Sequence, residues 1–262
     1  MNSNVVMPAL FAGHGSPMNA IEDNAFTRAQ AAQAEMLAGK PKAVLCISAH
    51  WETRGTRVTT SSAPCTIHDF RGFPDELFAV EYPAPGSPDL AARVQALFDA
   101  GQVQGDEGWG LDHGSWSVLR HLFPDADVPV VQLSLDRGLT AEQHYDLAQK
   151  LQPLREEGVL ILGSGNIVHS LRDFQWDAEA EPYDWGVEFD AAIAEFLVRR
   201  NHYGLIRYRE VLGQNAELSA PTAEHYLPLL YVAALRRESE SLTFFNERFQ
   251  NASISMRSLR IG

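Results

Sequence analysis

A chain of 262 residues with 45% hydrophobic and 21% charged content can bury a sizeable core, which excludes a disordered or fibrous protein. Its formal net charge of −13 argues against nucleic acid or an anionic membrane as a partner, because phosphate recognition needs clustered Lys and Arg. The cysteines, Cys46 and Cys65, fit no CxxC zinc pattern and no disulfide framework, so a thiolate zinc site is excluded and a cytoplasmic location is expected.

The stretch from Asn2 to Ile21 carries no Lys, Arg, Asp or Glu. It has no basic leader, and Pro8, His14, Pro17 and Asn19 interrupt it well short of a bilayer span, so neither a signal peptide nor a membrane segment is expected. Within it Met7 to Ala12 reads as a strand running into Gly13-His14-Gly15-Ser16-Pro17. Asp23 to Leu37 reads as an amphipathic helix, and Ala43 to Ser48 as a second strand that holds Cys46 as a buried thiol and ends at Ala49-His50-Trp51. Val58 to Thr60 is a further strand. Residues 61–87 and 101–117 are rich in Gly, Pro and aromatics without periodicity, as expected of lids or binding walls; the helical pattern of Pro88 to Ala100 separates them. Val128 to Leu135 reads as a strand. Thr140-Ala141-Glu142-Gln143 has capping-box form and opens a helix to about Glu156. Val159 to Leu162 is a strand leading into a Gly163-Ser164-Gly165 turn. Trp185 to Arg200 spaces Val187, Phe189, Ile193, Phe196 and Leu197 for one helix face. The strict alternation from Ser253 to Ile261 predicts a half-buried strand, antiparallel or at an edge. Strands alternating with helices predict an α/β fold: a single domain over 1–262 with a mixed, mostly parallel central sheet flanked by helices.

Several histidines fall where such sheets place ligands, at strand ends and helix starts. His14, bracketed by glycines that let the backbone turn, and His50 follow strands expected to be neighbours, and both read as metal ligands. His169, read as near a helix start that would favour neutral imidazole, suits either a ligand or a general base. His225, read as one turn into a helix capped by Thr222, is by itself a half-buried structural histidine. His113, bracketed by Gly110 and Gly114, and His68 lie in the aromatic loops beside aspartates, where a supporting or acid/base role fits. His121, His144 and His202 read as structural or solvent-facing. There is no Gly-x-Ser-x-Gly elbow, no His-Glu-x-x-His and no P-loop. A metalloenzyme is the expectation.

Taken in order, Leu10–Pro17, Ser48–Trp51, Thr66–Phe73, Tyr82–Pro88, Gly108–Trp116, Gly163–His169 and Pro221–Val232 resemble the class III extradiol dioxygenases, in the branch that acts on DOPA. The resemblance implies a non-haem metal at the strands' C-terminal edge, with His14, His50 and His225 as ligands. It places His169 beside the metal, as a fourth ligand in a zinc form or as acid/base in an iron form, and makes His113 a pocket residue that hydrogen-bonds substrate or oxygen. Other class III enzymes use a carboxylate as third ligand; here His225 stands at that position with Glu224 beside it. An all-imidazole set suits Zn(II) as well as Fe(II). The implied reaction is ring cleavage of a small-molecule catechol next to its hydroxyls, with O₂ as co-substrate and His169 or His113 as base. A zinc hydrolase using the same imidazoles, or a non-catalytic metal-binding relative, stays open. An acidic substrate would call for a basic residue, with Arg71, Arg120 and Arg172 as candidates.

Overall fold

Apolar β-branched runs build the centre of the molecule. In the computed structural model, which describes residues 6–262, they form β1 (Ala9–Gly13), β2 (Ala43–Ser48), β3 (Val130–Gln132), β4 (Val159–Gly165), β5 (Leu242–Phe245) and β6 (Ser258–Ile261). The start of the uncharged stretch, residues 2–5, lies outside the description. The strands lie in one sheet in the order β3-β2-β4-β1-β6-β5. Neighbours among β3, β2, β4 and β1 run parallel, whereas β6 runs antiparallel to both β1 and β5. The expected mixed, mostly parallel α/β sheet is therefore present.

Both faces are covered. Val44, Cys46, Leu160 and Leu162 point toward Trp116 and Leu119 of α2 (His113–Leu122), on which α1 (Ala25–Glu35) packs. Their strand neighbours Leu45, Ile47 and Ile161 point the other way, toward α3 (Ala141–Gln149), α4 (Asp184–Val198) and α5 (Leu227–Ala234). Burial on both faces explains why these strands read as unbroken apolar runs. Each fully buried Leu or Ile contributes about 1.5–3 kcal/mol.

The structure departs from the sequence reading at several joints. The capping box at Thr140 and Gln143 forms, but the helix stops at Gln149 and restarts as Gln152–Glu156. Pro153 cannot donate to Gln149, and its ring would crowd that carbonyl. Val128 to Leu135 splits, with Leu135–Asp136 leaving the sheet to pair with Glu52–Thr53. The alternating C-terminal run is antiparallel as expected, yet β6 is interior, between β1 and β5. Its serines are buried too, because each hydroxyl has a partner: Ser253 donates to the Ser170 carbonyl at 2.8 Å, Ser255 to Asp190 at 2.6 Å and Ser258 to the Met256 carbonyl at 2.9 Å.

Two corrections bear on the site. β1 and β2 are not neighbours, since β4 runs between them. Gly163-Ser164-Gly165 is no turn but the last part of β4. Its glycines serve close approach: a Cβ on Gly163 would lie 2.5 Å from the Pro228 carbonyl oxygen, and one on Gly165 only 2.1 Å from that of His225. The bare strand lets the entry to α5 lie flat against it.

Candidate metal centre

Parallel strands deliver their ends to one edge of the sheet, and the histidines gather there. His14 follows β1 and donates its backbone N–H to the Gly165 carbonyl at 3.2 Å; His50 follows β2. The His225 carbonyl accepts from the Asn166 N–H at 2.9 Å, which ties the segment before α5 to the end of β4. His113 opens α2, whose N-cap Asp112 accepts from the Ser115 N–H at 3.1 Å. His169 is not at a helix start: it lies in irregular chain after β4, held by its N–H to the Ser219 carbonyl at 2.7 Å and by a bridge to Ile254. His225 precedes α5, and Thr222 does not cap it, its hydroxyl donating instead to Glu224 at 2.7 Å. His14, His50, His113, His169 and His225 all line one cavity of about 640 Å³.

The rings of His14, His50 and His225 form a nearly equilateral triangle, with centroids 5.0, 5.0 and 5.3 Å apart. The protons of these rings follow from their outer partners. Ser164 Oγ donates to the Gly114 carbonyl, so toward His14 Nδ1, 3.1 Å away, it accepts. Glu224 Oε1 accepts from His225 Nδ1 at 3.0 Å, and Asp69 Oδ2 lies 3.5 Å from His50 Nδ1. Each Nδ1 thus carries the hydrogen, and each Nε2 keeps its lone pair. His14 and His50 Nε2 are 3.2 Å apart, close to the roughly 3.3 Å expected of two nitrogens bound tetrahedrally to one ion at about 2.0–2.1 Å. His225 Nε2 is buried without any hydrogen-bond partner, a costly arrangement unless a cation sits there. The donor set fits a divalent metal.

Electrostatics agree. Burial, reinforced by the neighbouring histidines, holds His14 and His225 well below the ordinary imidazole range and lowers His50 to about 3. Neutral imidazole is the ligating form. Glu224, adjacent to His225 in sequence, does not line the cavity; its carboxylate orients the His225 ring from behind.

The other two histidines are placed differently. His169 stacks on His225, with centroids 3.5 Å apart and planes within 7°, and its ring nitrogens make no hydrogen bond among the described residues. Burial lowers it to about 4. His113 lies 3.9 Å from the His50 ring centroid, closer than the triangle's spacing. Asp69, which sequence reasoning left as a mere neighbour of His68, spans the two: its Oδ1 accepts from the His113 backbone N–H at 2.9 Å and lies 3.0 Å from Nδ1, off the line of a hydrogen bond, while Oδ2 faces His50. Burial works against the charge on Asp69, but these histidine contacts outweigh it and hold the carboxyl below its usual range. By their ligand atoms the side chains fall into two groups within 4.8 Å, His14 with His50 and His113, and His225 with His169 and the Glu224 carboxylate, while the ring centroids of His14, His50 and His225 relate the two groups.

The walls were only half legible. Loop 61–87 supplies Asp69, Phe73 and Pro74, but 101–117 supplies only His113. Leu171, Phe174 and Trp176, with Gln250 and Ile254, form a wall the sequence did not announce. None of Arg71, Arg120 and Arg172 lines the cavity. His68 donates to or accepts from no pocket group; its Nε2 meets the Val80 carbonyl at 2.8 Å. His121, His144 and His202 are likewise held by the Asn19 carbonyl, Tyr231 and Tyr145. Cys46 is buried and Cys65 exposed, both free.

A family model described as the catalytic LigB subunit of aromatic ring-opening dioxygenase matches residues 7–255. The chain belongs to this family. Among its relatives are a protein of Escherichia coli K12 named 4,5-DOPA dioxygenase extradiol, 46% identical over 99% of this chain and 96% of its own, and a Beta vulgaris protein of the same name, 38% identical over 86% and 85%. A crystal structure of an uncharacterized protein from Escherichia coli K12 matches with a TM-score of 0.85 at 42% identity, covering 98% of this chain and 100% of that one. The LigB chain is an extradiol ring-cleaving dioxygenase, and the family implies a divalent metal. No helix among its described residues is long and apolar enough to cross a membrane.

Two expectations for this LigB chain follow from the geometry. Gly165→Ala would drive a methyl into the His225 carbonyl, and since the obstacle is backbone, the segment carrying His225 must move. Metal affinity is expected to fall about 10–100-fold, read by titration with a competing chelator; wild-type affinity would contradict this placement. The second concerns pH. Folding holds His14 and His225 below their unfolded value near 6.5, so the unfolded chain binds more protons and stability falls as pH drops below that value. Metal-free protein should therefore melt at a lower temperature at about pH 5 than at about pH 7.5. A thermal melt with chelator at about pH 7.5 and 5 reads it; equal Tm values would refute it.

Proposed function

We propose that His14, His50 and His225 hold Fe(II) through their Nε2 atoms and that residues 1–262 act as one catalytic domain opening a catechol ring beside its hydroxyls. The observation that carries the ligand assignment is the near-equilateral triangle of imidazoles whose outer nitrogens are each turned to an acceptor. When bound, iron would supply electron exchange between a spin-paired catechol and triplet O₂, which zinc, lacking redox chemistry, cannot.

The chain's own groups do the rest. His169, neutral at pH 7 and without a hydrogen bond on its ring nitrogens, accepts the catechol proton as the substrate binds. Its stacking on His225 supports this role over a fourth ligand, because rings sharing one ion stand about 5 Å apart, as in the triangle. His113, fixed at the start of α2 and braced by Asp69, hydrogen-bonds substrate or oxygen. Phe73, Phe174 and Ile254 exclude water and flank the ring. The relatives' name points to DOPA or a related catechol as substrate.

Oxygen uptake tests the reading. Iron-loaded protein with a catechol panel that includes DOPA and caffeate is expected to consume one O₂ per catechol and form a yellow ring-opened product, and zinc-loaded protein to do neither. Turnover by the zinc form, or none by the iron form, would overturn it.

A further inference from the structure

The metal-facing end of the cavity is built from imidazoles, but its outer part has a charge bias of its own. Glu22 lines it, exposed at the mouth, with one carboxylate oxygen accepting from Asn24 Nδ2 at 3.2 Å and no salt bridge among the described residues. Among the described residues no Lys or Arg lines the cavity, and Asp69 is already engaged by His50 and His113. Arg172, near the mouth in sequence, is exposed and turned to Asp173 at 3.5 Å. The same cavity is lined by the aromatic Phe73, Phe174 and Trp176, the last 87% exposed. A free carboxylate and open ring faces both attract an ammonium, and both repel or fail to recognise a carboxylate.

We propose that the mouth is a cation subsite, with Glu22 as its charge-determining residue, so the catechols this chain takes best carry an amine on the side chain rather than a lone carboxylate. The inference rests on reading this cavity as the catechol site. With the catechol ring against the histidines, a side-chain amine directed to the exposed end of the cavity meets the Glu22 carboxylate. The exposed position keeps the effect moderate, about three- to tenfold in affinity between amine and acid.

The test is calorimetric titration of the zinc-loaded protein under argon, where no turnover occurs, with dopamine, methylcatechol and dihydroxyphenylacetate as cationic, neutral and anionic probes. The expected order is dopamine tightest and dihydroxyphenylacetate weakest. Glu22→Gln should weaken dopamine and strengthen dihydroxyphenylacetate, and Glu22→Lys should invert the order; a folding defect would instead weaken all three. Equal binding of the three probes by wild type, or an order untouched by Glu22→Lys, overturns the cation subsite and leaves the ring-opening reading standing. Binding of none of them overturns both.

Discussion

His14→Ala is expected to leave a folded protein that holds no metal and opens no ring. His14 Nε2 has a partner only in His50 Nε2, a contact between two lone pairs that is favourable only with a cation between them. Removing the ring takes away one corner of the triangle and leaves Ser164, whose hydroxyl still has the Gly114 carbonyl. Two remaining imidazoles do not make a closed site for a divalent ion. Metal content should drop from one ion per chain to a small fraction, and ring-opening rate by at least about 10³-fold, because the residual site supplies neither substrate positioning nor electron exchange. The fold should persist, since the lost side chain is polar and its burial opposes its charged form. Metal analysis, circular dichroism and oxygen uptake on one preparation decide it; stoichiometric metal in this variant would remove His14 from the site.

His169→Ala should separate binding from chemistry. The ring stacks on His225 and reaches no hydrogen-bond partner among the described residues, so fold and metal content are expected to survive its loss. What disappears is the neutral base beside the substrate, worth about 10²–10⁴ in rate. The iron-loaded variant should keep near-stoichiometric metal and catechol affinity within a few-fold while its rate falls by that factor. Normal turnover would exclude His169 from the mechanism, and loss of metal would make it a ligand instead.

What could be read without coordinates was whatever local chain dictates. His14 and His50 were legible because an apolar run followed by a small-residue turn says that a strand ends there, and strand ends meet at one edge of a parallel sheet. His225 was legible only through the family resemblance, because its position depends on a contact distant in sequence: Gly163 and Gly165 must be bare for the Pro228 and His225 carbonyls to approach β4. The same glycines were misread as a turn, since their composition suits one and only the partner backbone reveals a strand. Asp69, Ser164 and Glu224, which face the outer nitrogens of the three rings, lie in segments that carry the family resemblance, but nothing local in those segments says which imidazole each one meets. The Leu171–Trp176 wall has no periodicity to mark it, and its aromatic side chains face a cavity instead of a core.

The most direct measurement is an anomalous difference map at the iron edge from crystals of the iron-loaded protein. A single peak within about 2.0–2.2 Å of the Nε2 atoms of His14, His50 and His225, with His169 and His113 beside it but uncoordinated, is the result the account requires. A peak coordinated by His14, His50 and His113, whose nitrogens come within 4.8 Å of one another, with His225 out of reach, would contradict it.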